Sequence, residues 1–297
     1  MEKLLQEHSL ILMEAAIVEQ LRWHSHVQLH PTLSNAPLIY TAHEPLKQLY
    51  QQYRDIALNN DLPFLMCTPT WRANQERVKQ ANNADYEQIN VDSVRFLQQI
   101  QKANDKVKIG GMMTCKNDCY QPEQGISTEE ARQFHQWQID QLAQADVDFL
   151  FAVTLPNIHE AIGIAQAMQT TDIPYIISFV IGRDGKLLDG TGLETAIEMI
   201  DSATTKTALG FMVNCAYPTF LCAEQQNPDL FKRFIGYQAN ASSRDHCDLD
   251  NAVQLESDSV THWGEEMLRL NRQFGVKILG GCCGTNAAHL EYLVKAN

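Results

Sequence analysis

No run of apolar residues in this 297-residue chain approaches the ~18 that a membrane-spanning helix needs, so no transmembrane segment is expected. Met1 to Ser9 lack the apolar stretch and cleavage site of a secretory leader, and cytoplasmic residence is the expectation. Positive charge is scarce. Lys and Arg number 23 against 36 Asp and Glu, a formal net charge of -13, with no basic patch to offset it. Such a chain is repelled by phosphate backbones and anionic lipid, so neither nucleic acid nor a membrane is an expected partner. Gly182-Arg183-Asp184-Gly185 lacks the dinucleotide spacing, and neither a phosphate loop nor a serine-hydrolase elbow occurs. These absences disfavour nucleotide-dependent transfer and standard ester hydrolysis. The eight cysteines, in a chain too long to need staples, are read as thiols or metal ligands before disulfides. The oligomeric state leaves no mark in the sequence.

What is present is a recurring unit: a short apolar run followed by a longer segment of helical periodicity. The runs are Leu10 to Met13, Phe64 to Thr68, Val107 to Gly111, Asp148 to Val153, Pro174 to Val180, Leu209 to Asn214, Arg233 to Ala239 and Val276 to Gly280. Helices are predicted at about 43–60, 85–104, 127–146, 157–170, 190–204, 216–229, 260–273 and 285–296. Ser127 with Glu130, and Asn157 with Glu160, have capping-box spacing. Runs such as Tyr175 to Val180 suit parallel strands covered on both faces. Eight units in this length predict an α/β fold, a closed (β/α)8 TIM barrel forming one domain over residues 1–297, with an open sheet as the alternative. Long connections at Leu21 to Ala42 and Asn240 to Ser259 would lie on the face where such barrels build their sites.

Cys215 follows the sixth run, and Cys282 and Cys283 follow the eighth, so all three reach the same rim. Neighbours in a regular strand point to opposite faces, so Cys282 and Cys283 can share an ion only where the strand has become a turn. Gly280, Gly281 and Gly284 are expected to supply that freedom. Three thiolates suit zinc and leave a fourth position open for water or substrate. Around a divalent ion they sum to a net negative centre, a weak generator of hydroxide but a good host for a reactive substrate thiolate. That chemistry points to alkyl transfer onto sulfur. The competing reading is three buried apolar cysteines, although Gly-Gly-Cys-Cys-Gly supplies few atoms to fill a core.

With Val213-Asn214-Cys215 and Gly280-Gly281-Cys282-Cys283-Gly284-Thr285, the chain resembles the zinc-dependent homocysteine S-methyltransferase family. Thr68-Pro69-Thr70 and Thr154-Leu155-Pro156 extend the resemblance along the chain. It implies a (β/α)8 barrel in methionine biosynthesis, with Zn2+ on Cys215, Cys282 and Cys283 as the catalytic centre. It also implies a small thiol acceptor and a sulfonium or quaternary ammonium methyl donor. There are departures. The family's Asp-Gly-Gly or Asp-Gly-Ala after strand one is Glu14-Ala15-Ala16 here, and its Glu before Thr-Ile-Pro is Val153. Its Tyr-Pro-Asn after strand seven reads Tyr237-Gln238-Ala239-Asn240. The metal half is kept while the amino acid half is altered, which raises two alternatives: an alkyltransferase for a different thiol, or a non-catalytic zinc- or ligand-binding barrel.

Candidate substrate-binding residues are Glu14 for an ammonium group, Thr68 and Thr70 as donors to a carboxylate, and Asn214 to orient the loop beside a ligand. Each has a local structural role as its alternative. Trp71 is considered as a cation-π cover for a methyl donor, against core filling. Cys67 is read as filler, Cys115 with Cys119 as a weak second metal or redox pair, and His24, His26 and His30 as a solvated cluster. Cys222 and Cys247 stay unassigned.

Overall fold

The computed structural model describes residues 1–24, 27–244 and 257–296. Eight parallel strands close in sequence order, the last pairing with the first, as the eightfold repeat predicts. They are β1 (Ile11–Met13), β2 (Phe64–Cys67), β3 (Val107–Thr114), β4 (Phe149–Leu155), β5 (Tyr175–Phe179), β6 (Gly210–Asn214), β7 (Phe234–Ala239) and β8 (Ile278–Gly281). The open-sheet alternative is thereby excluded.

Alternation along the strands divides the apolar side chains between two cores. Ile11, Met13, Leu65, Cys67, Phe149, Phe151, Val153, Ile176, Met212 and Ile278 form one cluster that fills the barrel. Their neighbours, such as Leu12, Leu150, Ala152 and Phe211, join a larger cluster with the surrounding helices. Met1, Leu4 and Leu5 pack on the inner cluster, so α1 (Glu2–Glu7) plugs its N-terminal end. The opposite end carries Trp71 and Met112.

The outer layer holds α4 (His43–Asn59), α6 (Ile89–Gln101), α7 (Thr128–Gln144), α8 (Ile158–Met168), α9 (Leu193–Ala203), α10 (Val260–Phe274) and α11 (Ala287–Lys295). Shorter helices, α2 (Val18–His24), α3 (Leu38–Thr41) and α5 (Gln75–Ala81), lie in the connections after β1 and β2. Among the described residues no helix is long and apolar enough to cross a membrane.

One predicted helix is absent. Residues 216–229 form short 3-10 turns instead, beginning at Pro218 and at Pro228, with Cys222 at φ 48° between them. Each proline lacks an N–H, and a left-handed residue ends any helical run it joins. The capping-box expectation holds by half: Ser127 and Asn157 cap their helices, but Glu160 turns to His135 and Glu130 to Lys116. A reciprocal box forms at Asn286 and His289.

Candidate metal centre

Adjacent strands are about 4.8 Å apart, so β6 and β8, separated by β7, run about 10 Å apart. Their cysteines meet only by leaning over the end of β7, and the backbone arranges this. Cys215 takes φ 54°, left-handed for a non-glycine residue, and its N–H donates to the Gln238 carbonyl at 3.1 Å. Cys282 N–H donates to the Ala239 carbonyl at 2.8 Å, and Ala241 N–H to the Cys283 carbonyl at 2.8 Å. The end of β7 is thus a shelf to which both cysteine-bearing segments are fastened.

β8 ends at Gly281, and Cys282 and Cys283 lie in the turn beyond, as sharing one ion demands. The glycines work differently from expectation. Gly284 alone of the three takes positive φ, at 80°. Gly280 and Gly281 are strand residues whose missing Cβ is a matter of space: at Gly280 it would fall 2.8 Å from Met13 Cβ, and at Gly281 2.1 Å from Thr285 Oγ1.

The three sulfurs lie within 4.8 Å of one another, and the cluster is able to coordinate a metal ion. Cys215 is buried, while Cys282 and Cys283 are half-buried. Sulfurs bound tetrahedrally at about 2.3 Å from an ion stand about 3.8 Å apart. The Cys282–Cys283 separation of 3.9 Å matches that edge, whereas Cys215 and Cys282, at 2.6 Å, must part by about an ångström to accept an ion. The donor set and its geometry fit a thiophilic divalent metal.

In the protein alone, hydrogen bonds from Cys282 and Cys283, opposed by burial and helped by Asn214, hold the Cys215 thiol well below its ordinary pKa. The bond to Cys215 raises the other two.

Asn214 does more than orient a loop. Its Nδ2 donates to Cys215 Sγ at 3.1 Å and to Thr154 Oγ1 at 3.1 Å, while its Oδ1 accepts from Thr154 N–H at 2.9 Å and Ser178 Oγ at 2.7 Å. Thr154, at φ 57°, is also left-handed, so one amide holds both strained residues across β4, β5 and β6. Asn214→Asp keeps the shape but removes both N–H donors beside an anionic sulfur. It is expected to weaken metal binding by about 10- to 100-fold, read by competition with a chromophoric chelator. Wild-type affinity would show that the amide is dispensable.

Several of the other residues singled out in the sequence spend polar atoms on local contacts. Glu14 is buried, and its Oε2 accepts from Cys67 N–H at 2.6 Å; burial, opposed by that bond, raises its pKa well above the carboxylate range. Thr68 and Thr70 share a bond of 2.6 Å, Thr70 Oγ1 donates to the Met112 carbonyl at 2.6 Å, and Thr68 Oγ1 accepts from Met112 N–H at 2.9 Å. Their hydroxyl protons are therefore spent joining β2 to β3. Trp71 carries the Arg72 guanidinium 4.3 Å over its ring. Cys67 lies in the barrel core. Cys115 and Cys119 are buried, and among the described residues no third ligand gathers with them. His30 Nδ1 accepts from Thr32 and Leu33 N–H, tying a turn. Cys222 Sγ donates to the Arg183 carbonyl. His26 and Cys247 lie outside the described residues.

Two groups escaped the sequence reading. Glu19, on α2, accepts from Gly284 N–H and lies against Cys283; burial first, then the Cys283 charge, raises its carboxyl to about 7. Tyr120, after β3, is held well above the ordinary phenol range, first by burial and then by the nearby cysteine cluster. Residues with no motif around them carry no signal that spacing can detect.

The model of the family described as Homocysteine S-methyltransferase matches residues 2–297. Betaine–homocysteine S-methyltransferase 1 of Rattus norvegicus is 22% identical over 278 residues, covering 85% of this chain and 64% of that protein. S-methylmethionine–homocysteine S-methyltransferase BHMT2 of Pongo abelii is 21% identical over 269 residues, covering 85% and 69%. The chain thus spans slightly less than two thirds of the length of the first of these relatives. The crystal structure of the homocysteine methyltransferase MmuM from Escherichia coli in its metallated form aligns with a TM-score of 0.78 at 16% identity, over 99% of each chain. That likeness shows the shared barrel fold.

Proposed function

The chain belongs to the homocysteine S-methyltransferase family, and from that premise we propose that it transfers a methyl group from a sulfonium or quaternary ammonium donor to a small thiol, with Zn2+ as its metal. The observation that carries this reading is the meeting of Cys215, Cys282 and Cys283 at the barrel rim, the latter two only half-buried. These three would hold the ion through Sγ; when bound, it supplies the positive charge that favours the thiolate of an acceptor.

The rest falls to the chain's own groups. Asn214 and the β7 shelf hold the sulfurs in place, so little reorganisation is needed when an acceptor arrives. The acceptor's proton passes to solvent. Its sulfur forms a bond to the methyl carbon as the donor's bond to that carbon breaks, and the donor leaves as a neutral thioether or tertiary amine. No covalent protein intermediate is needed.

Val153 bears on which thiol is accepted. It is 3% exposed within the inner apolar cluster and presents no carboxylate to an ammonium group, while Glu14 is engaged with Cys67. An unpaired ammonium there would be costly. This favours, as a second reading, an acceptor other than homocysteine. Val153→Glu is expected to raise kcat/KM for homocysteine relative to thiols without an ammonium group by about tenfold, a change of about 1.4 kcal/mol in the barrier. An unchanged ratio in the folded variant would count against this account of Val153.

The functional test is a matrix of S-methylmethionine, S-adenosylmethionine and betaine against homocysteine and other small thiols, using zinc-loaded protein and reading products by mass. A methylated thiol in any cell supports the proposal. No product in any cell at full zinc occupancy leaves a metal- or ligand-binding barrel.

A further inference from the structure

A cavity of about 460 Å³ opens at the C-terminal end of the barrel, walled by the segments after β1, β2 and β3. Thr32, Ser34, Trp71, Arg72, Arg77 and Asn117 are among its lining residues, and no cysteine is. In a chain of net charge -13, two guanidinium groups face one space.

Neither guanidinium forms an ion pair among the described residues. Arg72 Nη1 donates to the Asn117 carbonyl at 3.2 Å, and Arg77 Nη1 to the Thr32 carbonyl at 3.2 Å. A guanidinium has five N–H donors, so most remain unspent on both. Arg72 is braced by its stacking on Trp71. Burial first, then repulsion from Arg72, lowers the pKa of Arg77, with Glu76 and Cys115 opposing. Asp118 also lines the cavity, but its carboxylate accepts from Tyr120 N–H at 2.9 Å and Gln121 Nε2 at 3.3 Å within its own loop. Two guanidinium groups that line one cavity with donors unused suit an anion, and a carboxylate matches the planar fork.

The cavity opens at the same end of the barrel as the cysteine cluster: its lining segments follow β1, β2 and β3, and the cysteines follow β6 and β8. Recognition by ammonium fails at Val153, and recognition by acid group is available here.

We propose that Arg72 and Arg77 form a carboxylate subsite at the barrel mouth that takes the acid group of one of the two substrates. Naming the ligand as a substrate rests on the methyl-transfer reading; the anion site itself does not. Both thiol acceptors and onium donors can carry a carboxylate, and paired probes separate them.

The test is calorimetric binding to zinc-loaded protein of two pairs that differ in the acid group: 3-mercaptopropionate with 3-mercaptopropan-1-ol, and betaine with choline. One acid-bearing member is expected to bind at least about tenfold more tightly than its partner, the range of a charge-assisted bidentate contact. Arg77→Gln and Arg72→Gln should each erase most of that preference without changing binding of the neutral alcohol or of choline, and Arg77→Lys should restore part of it. The favoured pair identifies the substrate that carries the acid. No preference in either pair, no binding of any probe, or a preference that survives both variants in folded protein overturns the subsite. Failure of the methyl-transfer reading shows separately: in cobalt-substituted protein, a thiolate-to-metal absorption band unchanged by 3-mercaptopropan-1-ol would remove the thiol site, while betaine against choline still decides the anion site.

Discussion

Serine at position 215, 282 or 283 is expected to abolish tight zinc binding and lower methyl transfer by about a thousandfold or more, whichever cysteine is replaced. Serine preserves the shape but substitutes a hard hydroxyl, protonated at neutral pH, for a soft thiolate, and two thiolates form an incomplete set for zinc. Outer-shell changes at metal sites already cost about 10- to 100-fold, so loss of a ligand should exceed that range. The three sulfurs form a triangle, with Cys282 2.6 Å from Cys215 and 3.9 Å from Cys283, so no one ligand is peripheral and each loss should open the cluster. Elemental analysis of the purified variants, alongside single-turnover methyl transfer, checks both effects together. A variant with one zinc per chain and wild-type turnover would contradict the ligand assignment.

Gly281→Ala is expected to damage the site nearly as much while leaving every proposed ligand in place. An added Cβ would stand 2.1 Å from Thr285 Oγ1 and 2.6 Å from Thr285 Cβ. Thr285 cannot yield freely: its Oγ1 donates to the Cys282 carbonyl at 2.6 Å and accepts from Ala16 N–H at 3.1 Å, tying the cysteine turn to the end of β1. Accommodation must move the turn that carries Cys282 and Cys283. Overpacking of this kind costs about 1–3 kcal/mol in stability, and displacement of the turn should weaken zinc affinity by about 100-fold. Gly284→Ala is the informative comparison. At φ 80° it incurs the left-handed penalty of about 1–2 kcal/mol, a backbone cost of a different kind. Thermal melts and metal competition on both variants distinguish the causes. Equal zinc affinity in Gly281→Ala and wild type would show that the turn tolerates the methyl group.

The eight strands were legible because each is a short apolar run between longer amphipathic segments, a pattern that survives small boundary errors. Two boundaries moved where they matter. β3 extends to Thr114 and β4 to Leu155, past the runs that predict them, because pairing continues through Met112 to Thr114 on β3 and resumes at Leu155 on β4. The missing helix after β6 had its cause in view, since Pro218 and Pro228 interrupt the segment.

At the site, the cysteines were legible from their places at strand ends, and the need for a turn after Gly281 follows from strand geometry. Side-chain partners were not. Glu14, Thr68 and Thr70 have the chemistry of ligand-binding groups, but that chemistry is directed to Cys67 N–H and to Met112. Conversely, Glu19 and the pair Arg72 and Arg77 derive their significance from contacts between distant segments, and nothing in their own spacing announces it.

The central claim is that three thiolates hold a metal whose remaining position admits a substrate sulfur. X-ray absorption at the zinc edge of the loaded protein, recorded without and then with the acceptor thiol, tests it most directly. The account predicts three sulfurs at about 2.3 Å before addition and four after it. A shell with fewer than three sulfurs, or one that no thiol in the matrix changes, would contradict it.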